Sequence, residues 1–252
     1  MSRPIDLCLF FVAAALSPFG AALAGEVHVA VAANFVGPLA KIQQGFTAVT
    51  GHTLKVSSGA TGKFYAQIVS GAPFEVLIAA DDETPKKLVA EGHAVTGSNF
   101  TYAIGRLVLW SAQPGLVDDQ GAVLATGKFA HLAIANPKTA PYGAAGLQVL
   151  KARGLVEAMA PRLVTAESIA QAYQFVSTGN AELGFVALSQ VAVPGKAAEG
   201  SYWLVPPSLY GEIRQDAVLL KAGEKNPAAA ALLAYLKSAP AWSVIEAFGY
   251  GR

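Results

Sequence analysis

The chain has 252 residues, of which 53% are hydrophobic and 14% charged, with a formal net charge of +1. That length suffices for one large domain or two modest ones. Without a basic field or an acidic run, the composition argues against a nucleic-acid partner and against a disordered tail.

In chain order, the first segment reads MSRPIDLCLFFVAAALSPFGAALAGEVHV. Arg3 supplies a positive start, Leu7 to Leu16 is a short apolar run, and Ala22-Leu23-Ala24 fits the small-residue cleavage rule. The run is too short to span a bilayer, which needs about 20 residues. A signal peptide is therefore expected over 1–24, with a mature chain beginning near Gly25 or Glu26, exported and without stable membrane insertion. The single cysteine, Cys8, lies inside this leader. The mature chain then has no disulfide, no thiol nucleophile and no cysteine metal site, and Cys8 is too early for a lipid anchor.

Short apolar runs then alternate with helical patterns, the signature of βαβ units and a largely parallel sheet. Strands are expected at Val27–Ala33, Thr53–Ser57, Val76–Ala80, Leu107–Trp110, His131–Ala135, Leu163–Val164, Leu183–Val186, Trp203–Val205 and Asp216–Leu220. The clearest helix follows the first strand, where Phe35, Leu39, Ile42, Phe46 and Val49 share one face. Further helices are expected over Lys63–Ser70, Pro85–Glu91, Ala145–Arg153, Ser168–Ser177 and Pro227–Lys237.

Four strand-to-helix junctions carry small or polar residues: VAANF at 31–35, SSGATG at 57–62, NPKTAPYGAAG at 136–146 and VTAESIA at 164–170. In a parallel α/β sheet such loops lie at the carboxyl ends of strands, where ligands bind. Each leads into a helix N-terminus, whose first N–H groups lack partners and favour an anion by roughly 0.3–1 kcal/mol. Several such ends aimed at one point form an anion site without any cationic side chain.

Other chemistries find little support. The stretch VSSGATGKFY at 56–65 imitates a nucleotide phosphate loop but fails twice. Ser57 stands where the first glycine is required, and Phe64 where a Mg²⁺-holding Ser or Thr is required. Lys63 then reads as a solvated first-turn residue. His28, His52, His93 and His131 are scattered, with no zinc spacing. Asp81, Asp82 and Glu83 form the densest acidic cluster, which reads as a strand end and helix cap ahead of a cation site. No G-x-S-x-G elbow is present, and the sequence alone assembles no Ser–His–Asp set. A convergent triad, recognised only by geometry, stays open.

VAANF at 31–35, SSGATGKFYAQI at 57–68, GAPFEVLIAADDETP at 71–85, FTYAIGRLVLWSA at 100–112, NPKTAPYG at 136–143 and LGFVALSQ at 183–190 together resemble the periplasmic molybdate-binding proteins of bacterial ABC transporters. The resemblance covers about 25–250. It implies a two-lobed α/β periplasmic binding protein of type II, each lobe a mostly parallel sheet flanked by helices, around a hinged cleft. One lobe would take 25–104 plus 217–252 and the other 105–216, with crossings near Tyr102–Arg106 and Arg214–Val218. The ligand would be molybdate or tungstate, with no cofactor and no direct metal-ion ligand. The protein would be a monomer that delivers the ion to a membrane permease, and would not be an enzyme.

Carried over loop by loop, the resemblance makes Asn34 a donor through its amide and backbone N–H, with Ala33 beside it. Thr61 would donate its hydroxyl and N–H, and Tyr142 and Ile169 their backbone N–H groups. Many family members have serine at the first two contact positions, and this chain resembles the subset with Asn in the first loop. Many also place a tyrosine hydroxyl on the ion where this chain has Ala187. Glu167, beside Ile169, is the one carboxylate in these loops. An all-donor site suits an anion with no proton to give, which favours molybdate, tungstate or sulfate over phosphate. Two alternatives stand beside it. One is the same fold holding another oxyanion or a small organic acid. The other is an exported hydrolase with Thr61 or Ser58 as nucleophile, for which no base is found in the loops.

Overall fold

The computed structural model describes residues 24–252, so all but the last residue of the expected leader, Cys8 included, lies outside the described residues. The elements in chain order are β1 (Glu26–Ala32), α1 (Val36–Thr50), β2 (Thr53–Gly59), α2 (Thr61–Val69), β3 (Val76–Ile78), α3 (Glu83–Ala90), β4 (Phe100–Gly105) and β5 (Leu107–Ser111). They continue with α4 (Val123–Thr126), β6 (Leu132–Ala135), α5 (Pro141–Ala152), α6 (Val156–Met159), β7 (Leu163–Ala166), α7 (Ile169–Ser177), β8 (Leu183–Ala187) and α8 (Leu188–Val191). The last are β9 (Ser201–Leu204), β10 (Ile213–Leu219), α9 (Pro227–Leu236) and α10 (Ala239–Ala247).

These strands form two five-stranded sheets, ordered β2-β1-β3-β10-β4 and β7-β6-β8-β5-β9. In each sheet four strands run one way and one runs against them: β10 in the first, β5 in the second. The reversed strand is in each case the one by which the chain arrives from the other sheet. Only Arg106 separates β4 from β5, and the stretch after β9 leads into β10. The two sheets thus repeat one plan, each with its own core and a mostly parallel lobe built on it.

Helix α1 buries Leu39, Ile42 and Phe46 against the first sheet, each contributing on the order of 1.5–3 kcal/mol. The apolar stripe ends one turn before the sequence suggests, since Val49 is 70% exposed. The chain leaves the helix just after it, at left-handed Gly51. Several elements depart from the sequence pattern, among them the short helices α4, α6 and α8, which it does not mark, and α5, which begins at Pro141 rather than Ala145. β4 merges with β5 into one apolar stretch broken only by Arg106, and β10 begins at Ile213, three positions before the expected Asp216. α10 follows α9 after two residues and contains Pro240 near its start, which reads as a stop signal although proline is tolerated in a first helical turn. Among the described residues no single helix is long and apolar enough to cross a membrane.

Candidate functional site

Four strand ends meet where the two lobes face each other. The loop after β1 brings Ala33 and Asn34, the loop after β2 brings Ala60 and Thr61, the loop after β6 brings Ala140 to Tyr142, and the loop after β7 brings Ile169. Ala33, Asn34, Thr61, Tyr142 and Ile169 all line one small, tight cavity, completed by Ala32, Gly59, Ala60, Ala80, Ala140 and Pro141. None of these residues carries a charge. A wider groove lies alongside, walled by Asp81, Asp82, Glu83, Glu212, Lys138 and Arg214 among others. Its carboxylates outnumber its cations, so it suits a dianion less well than the uncharged cavity does.

The cavity is lined by donors. Among the described residues, the backbone N–H groups of Asn34, Thr61, Tyr142 and Ile169 donate to no protein carbonyl or side chain. Thr61, Tyr142 and Ile169 stand in the first turns of α2, α5 and α7, and Asn34 in the 3₁₀ turn that precedes α1. Local sequence sets two of these starts: Pro141 opens α5, and Ser168 caps α7 by accepting from Gln171 N–H. Thr61 is 1% exposed. Its Oγ1 accepts from Ala80 N–H at 3.0 Å, which leaves the hydroxyl proton for the cavity.

Behind this wall lies a buried polar network that the sequence does not suggest. Asn34 Nδ2 stands 2.9 Å from Gln215 Oε1 and 3.0 Å from the Tyr250 hydroxyl. Gln215 also meets the hydroxyls of Tyr102 at 2.9 Å and Tyr142 at 3.0 Å. Asn34 O accepts from Ser189 Oγ and from Tyr250, both at 2.9 Å. Burial raises the Tyr102 and Tyr142 phenols well above their ordinary value and pushes Tyr250 up to about 12, so all three keep their protons. The Tyr142 phenol is thus turned away into this network, and only its backbone serves the cavity.

Four other residues singled out by the sequence have defined places. Lys63 is not simply solvated: its Nζ meets Glu167 Oε2 at 2.8 Å across the cleft. Glu167 is spent on that pair outside the cavity, and Lys63 holds its carboxyl below the usual range. Ala187 is fully buried and does not line the cavity; its N–H donates to Gln190 Oε1, and Gln190 Nε2 donates to Ile169 O. Asp81 accepts from Thr84 N–H and hydroxyl at the start of α3, as a cap would. Beside Lys63, Gly62 N–H donates to Thr139 O at 2.9 Å, a second cross-cleft link. A Cβ at Gly62 would stand 3.0 Å from Thr139 Cα, so the facing backbones approach this closely only with glycine there.

The chain matches the family described as bacterial extracellular solute-binding protein over residues 27–251. It is 63% identical over 231 residues to the molybdate-binding protein ModA of Azotobacter vinelandii, covering 92% of each chain. It is 56% identical over 229 residues to the molybdate-binding protein ModA of Rhodobacter capsulatus, covering 91% of this chain and 89% of that one. Among solved structures, the periplasmic molybdate-binding protein of Azotobacter vinelandii superposes with a TM-score of 0.88 at 45% identity, covering 90% of this chain and 99% of that one.

Proposed function

The chain belongs to the bacterial extracellular solute-binding proteins, and from that premise we propose that it is the molybdate receptor of an ABC importer. It captures the ion between its two lobes and presents it to the permease. The observation that carries this reading is the convergence of four unpaired backbone N–H groups and the Thr61 hydroxyl on one uncharged cavity. A hydrogen bond to a charged ligand contributes roughly 1.5–3 kcal/mol. A wall rich in N–H and O–H donors, with no carboxylate, suits a fully deprotonated dianion better than a protonated phosphate.

On this reading Asn34, Thr61, Tyr142 and Ile169 hold the oxygens, and Ala33 allows the first loop to approach. Tungstate, which offers the same tetrahedral array of oxygens, is held in the same way. The lobes run over 25–104 with 217–252, and over 105–216, save that β10 carries Ile213–Asp216 into the first lobe as well. Donors from both lobes reach the ion together only when the cleft is shut, so the ion favours the closed form. Segment 1–24 directs the chain to the periplasm, where it works as a monomer without catalysing a reaction.

Thermal denaturation with molybdate, tungstate, sulfate and phosphate tests the assignment. A ligand at a hundred times its Kd stabilises the folded state by about 2.7 kcal/mol. Molybdate and tungstate should each raise the midpoint by several degrees, while stabilisation by sulfate or phosphate alone would defeat the reading.

A further inference from the structure

Asn34 lines the cavity and is 2% exposed, yet its Oδ1 has no hydrogen-bond partner while both Nδ2 protons are directed at Gln215 and Tyr250. Neither of those partners lines the cavity. The end of the amide left to the cavity is therefore an oxygen, which repels an anion and is itself an unsatisfied buried acceptor. A carboxamide has a second orientation, related to the first by a half-turn that exchanges O and N, and the surrounding network decides between them.

The same atoms support an alternative that pairs Asn34 Oδ1 if Asn34 and Gln215 turn together. The Tyr142 hydroxyl then donates to Gln215 Oε1. Gln215 Nε2 donates one proton to the Tyr102 hydroxyl and the other to Asn34 Oδ1, while the Tyr102 hydroxyl donates to Ala79 O, 2.8 Å away. Tyr250 donates to Asn34 Oδ1, and Ser189 alone satisfies Asn34 O. The Asn34–Gln215, Asn34–Tyr250, Gln215–Tyr102 and Gln215–Tyr142 distances are reused, and the Tyr250 contact to Asn34 O gives up its proton. Both Asn34 Nδ2 protons are released to the cavity.

We infer that Gln215 is a positioning residue for anion recognition: its amide orientation, held by the buried Tyr102 and Tyr142 hydroxyls, sets whether Asn34 offers the ion a donor or an acceptor. Gln215 is 0% exposed and sits where the register of β10 against β4 shifts, between Gln215 and Asp216. That irregularity lies on the strand by which the chain re-enters the first lobe. Tyr142 belongs to the second lobe, so the network that turns Asn34 spans both, and binding of the ion is coupled to their apposition. The inference rests on the molybdate reading above.

Two measurements test it. The first uses wild-type protein labelled with ¹⁵N and fully assigned. On saturation with molybdate the side-chain amide pairs of both Asn34 and Gln215 should shift, and the Asn34 protons should become protected from exchange. The second compares Gln215→Glu with Gln215→Met by titration calorimetry. At about pH 9 an ionised glutamate can only accept, so it holds the Asn34 amide inward, and molybdate affinity should fall about tenfold or more. Toward about pH 6 the buried acid takes up its proton, can donate again, and the deficit should close; Gln215→Met should show no such recovery. Wild-type protein that binds molybdate with unmoved Asn34 amide signals, or Gln215→Glu that binds as tightly as wild type at high pH, overturns the inference while leaving the receptor assignment intact. Wild-type protein that ignores molybdate defeats the assignment itself.

Discussion

The two walls of the cavity differ in kind. The first lobe presents side chains in addition to its backbone N–H groups: Asn34 and Thr61 each carry a polar group whose other contacts are already made, to Tyr250 and Gln215 in one case and to Ala80 in the other. The second lobe presents backbone. The Tyr142 hydroxyl is committed to Gln215, and the Ile169 side chain is apolar and buried, leaving only N–H groups at the starts of α5 and α7. One wall therefore depends on which residues stand in it. The other depends on where a helix begins, and tolerates changes of side chain that keep the helix in place.

The largest effect should come from disturbing the backbone wall through its support. A Cβ at Gly143 would lie 2.1 Å from Ala135 O and 2.7 Å from Ala135 C. Both are backbone atoms of β6 and cannot yield as a flexible side chain would. Gly143→Ala should cost about 1–3 kcal/mol or more by overpacking and lower Tm by roughly 4–10 °C, with molybdate affinity falling as α5 tilts. A Tm within a degree of wild type would show that α5 is not seated as described.

The comparison itself is tested by pairing Thr61→Ala with Ile169→Val in titration calorimetry. Loss of the hydroxyl should weaken molybdate binding roughly ten- to a hundredfold, the equivalent of one hydrogen bond to a charged ligand. Ile169→Val keeps the N–H and should change affinity by less than about threefold, even if it lowers stability by about 0.5–1.5 kcal/mol. Equal losses in the two would erase the distinction between the walls.

The smallest effect should follow Lys63→Ala, which removes the pair with Glu167 across the cleft. Both side chains are well exposed, 45% and 76%. The change should weaken molybdate binding only a few-fold at low ionic strength, and the difference from wild type should vanish in strong salt. The sign with pH follows from the lowered Glu167 value: the pair helps closure above the ordinary carboxylate value of 4.5 and loses that contribution as pH falls through the lowered one. A deficit that persists in strong salt would mean that Lys63 does more than clasp.

Much of this is legible in the sequence because it is local. The stripe of Phe35, Leu39, Ile42 and Phe46 shows a helix against a sheet, and small residues at 57–62 and 136–143 mark helix starts after strands. The five residues expected at the ion line one cavity, although which loops converge depends on sheet order, and that comes from the family resemblance rather than from spacing. The orienting network is not legible. Gln215 lies one position before a strand expected to begin at Asp216, and Tyr102 sits in a strand that the apolar pattern does not set apart from its neighbour. Tyr250 reads as one more aromatic among many, and nothing local says that its hydroxyl reaches Asn34. Lys63 reads as solvated because its partner, Glu167, comes from the other lobe.

The reversed strand in each sheet also bears on the order of folding. All five strands of the second sheet fall within Leu107–Leu204, a continuous stretch, so that sheet can close from its own contiguous chain. The first sheet is left with β4 unattached until β10 at Ile213–Leu219 slots between β3 and β4, and its core is not covered until α9 and α10 follow. A chain emerging N-terminus first must therefore hold its opening segment open while the middle folds. The long-range pairing of β10 should be the slow step, as closures across large sequence separations are. The Asn34 loop is among the first parts to appear and, waiting on Tyr250, among the last to be finished.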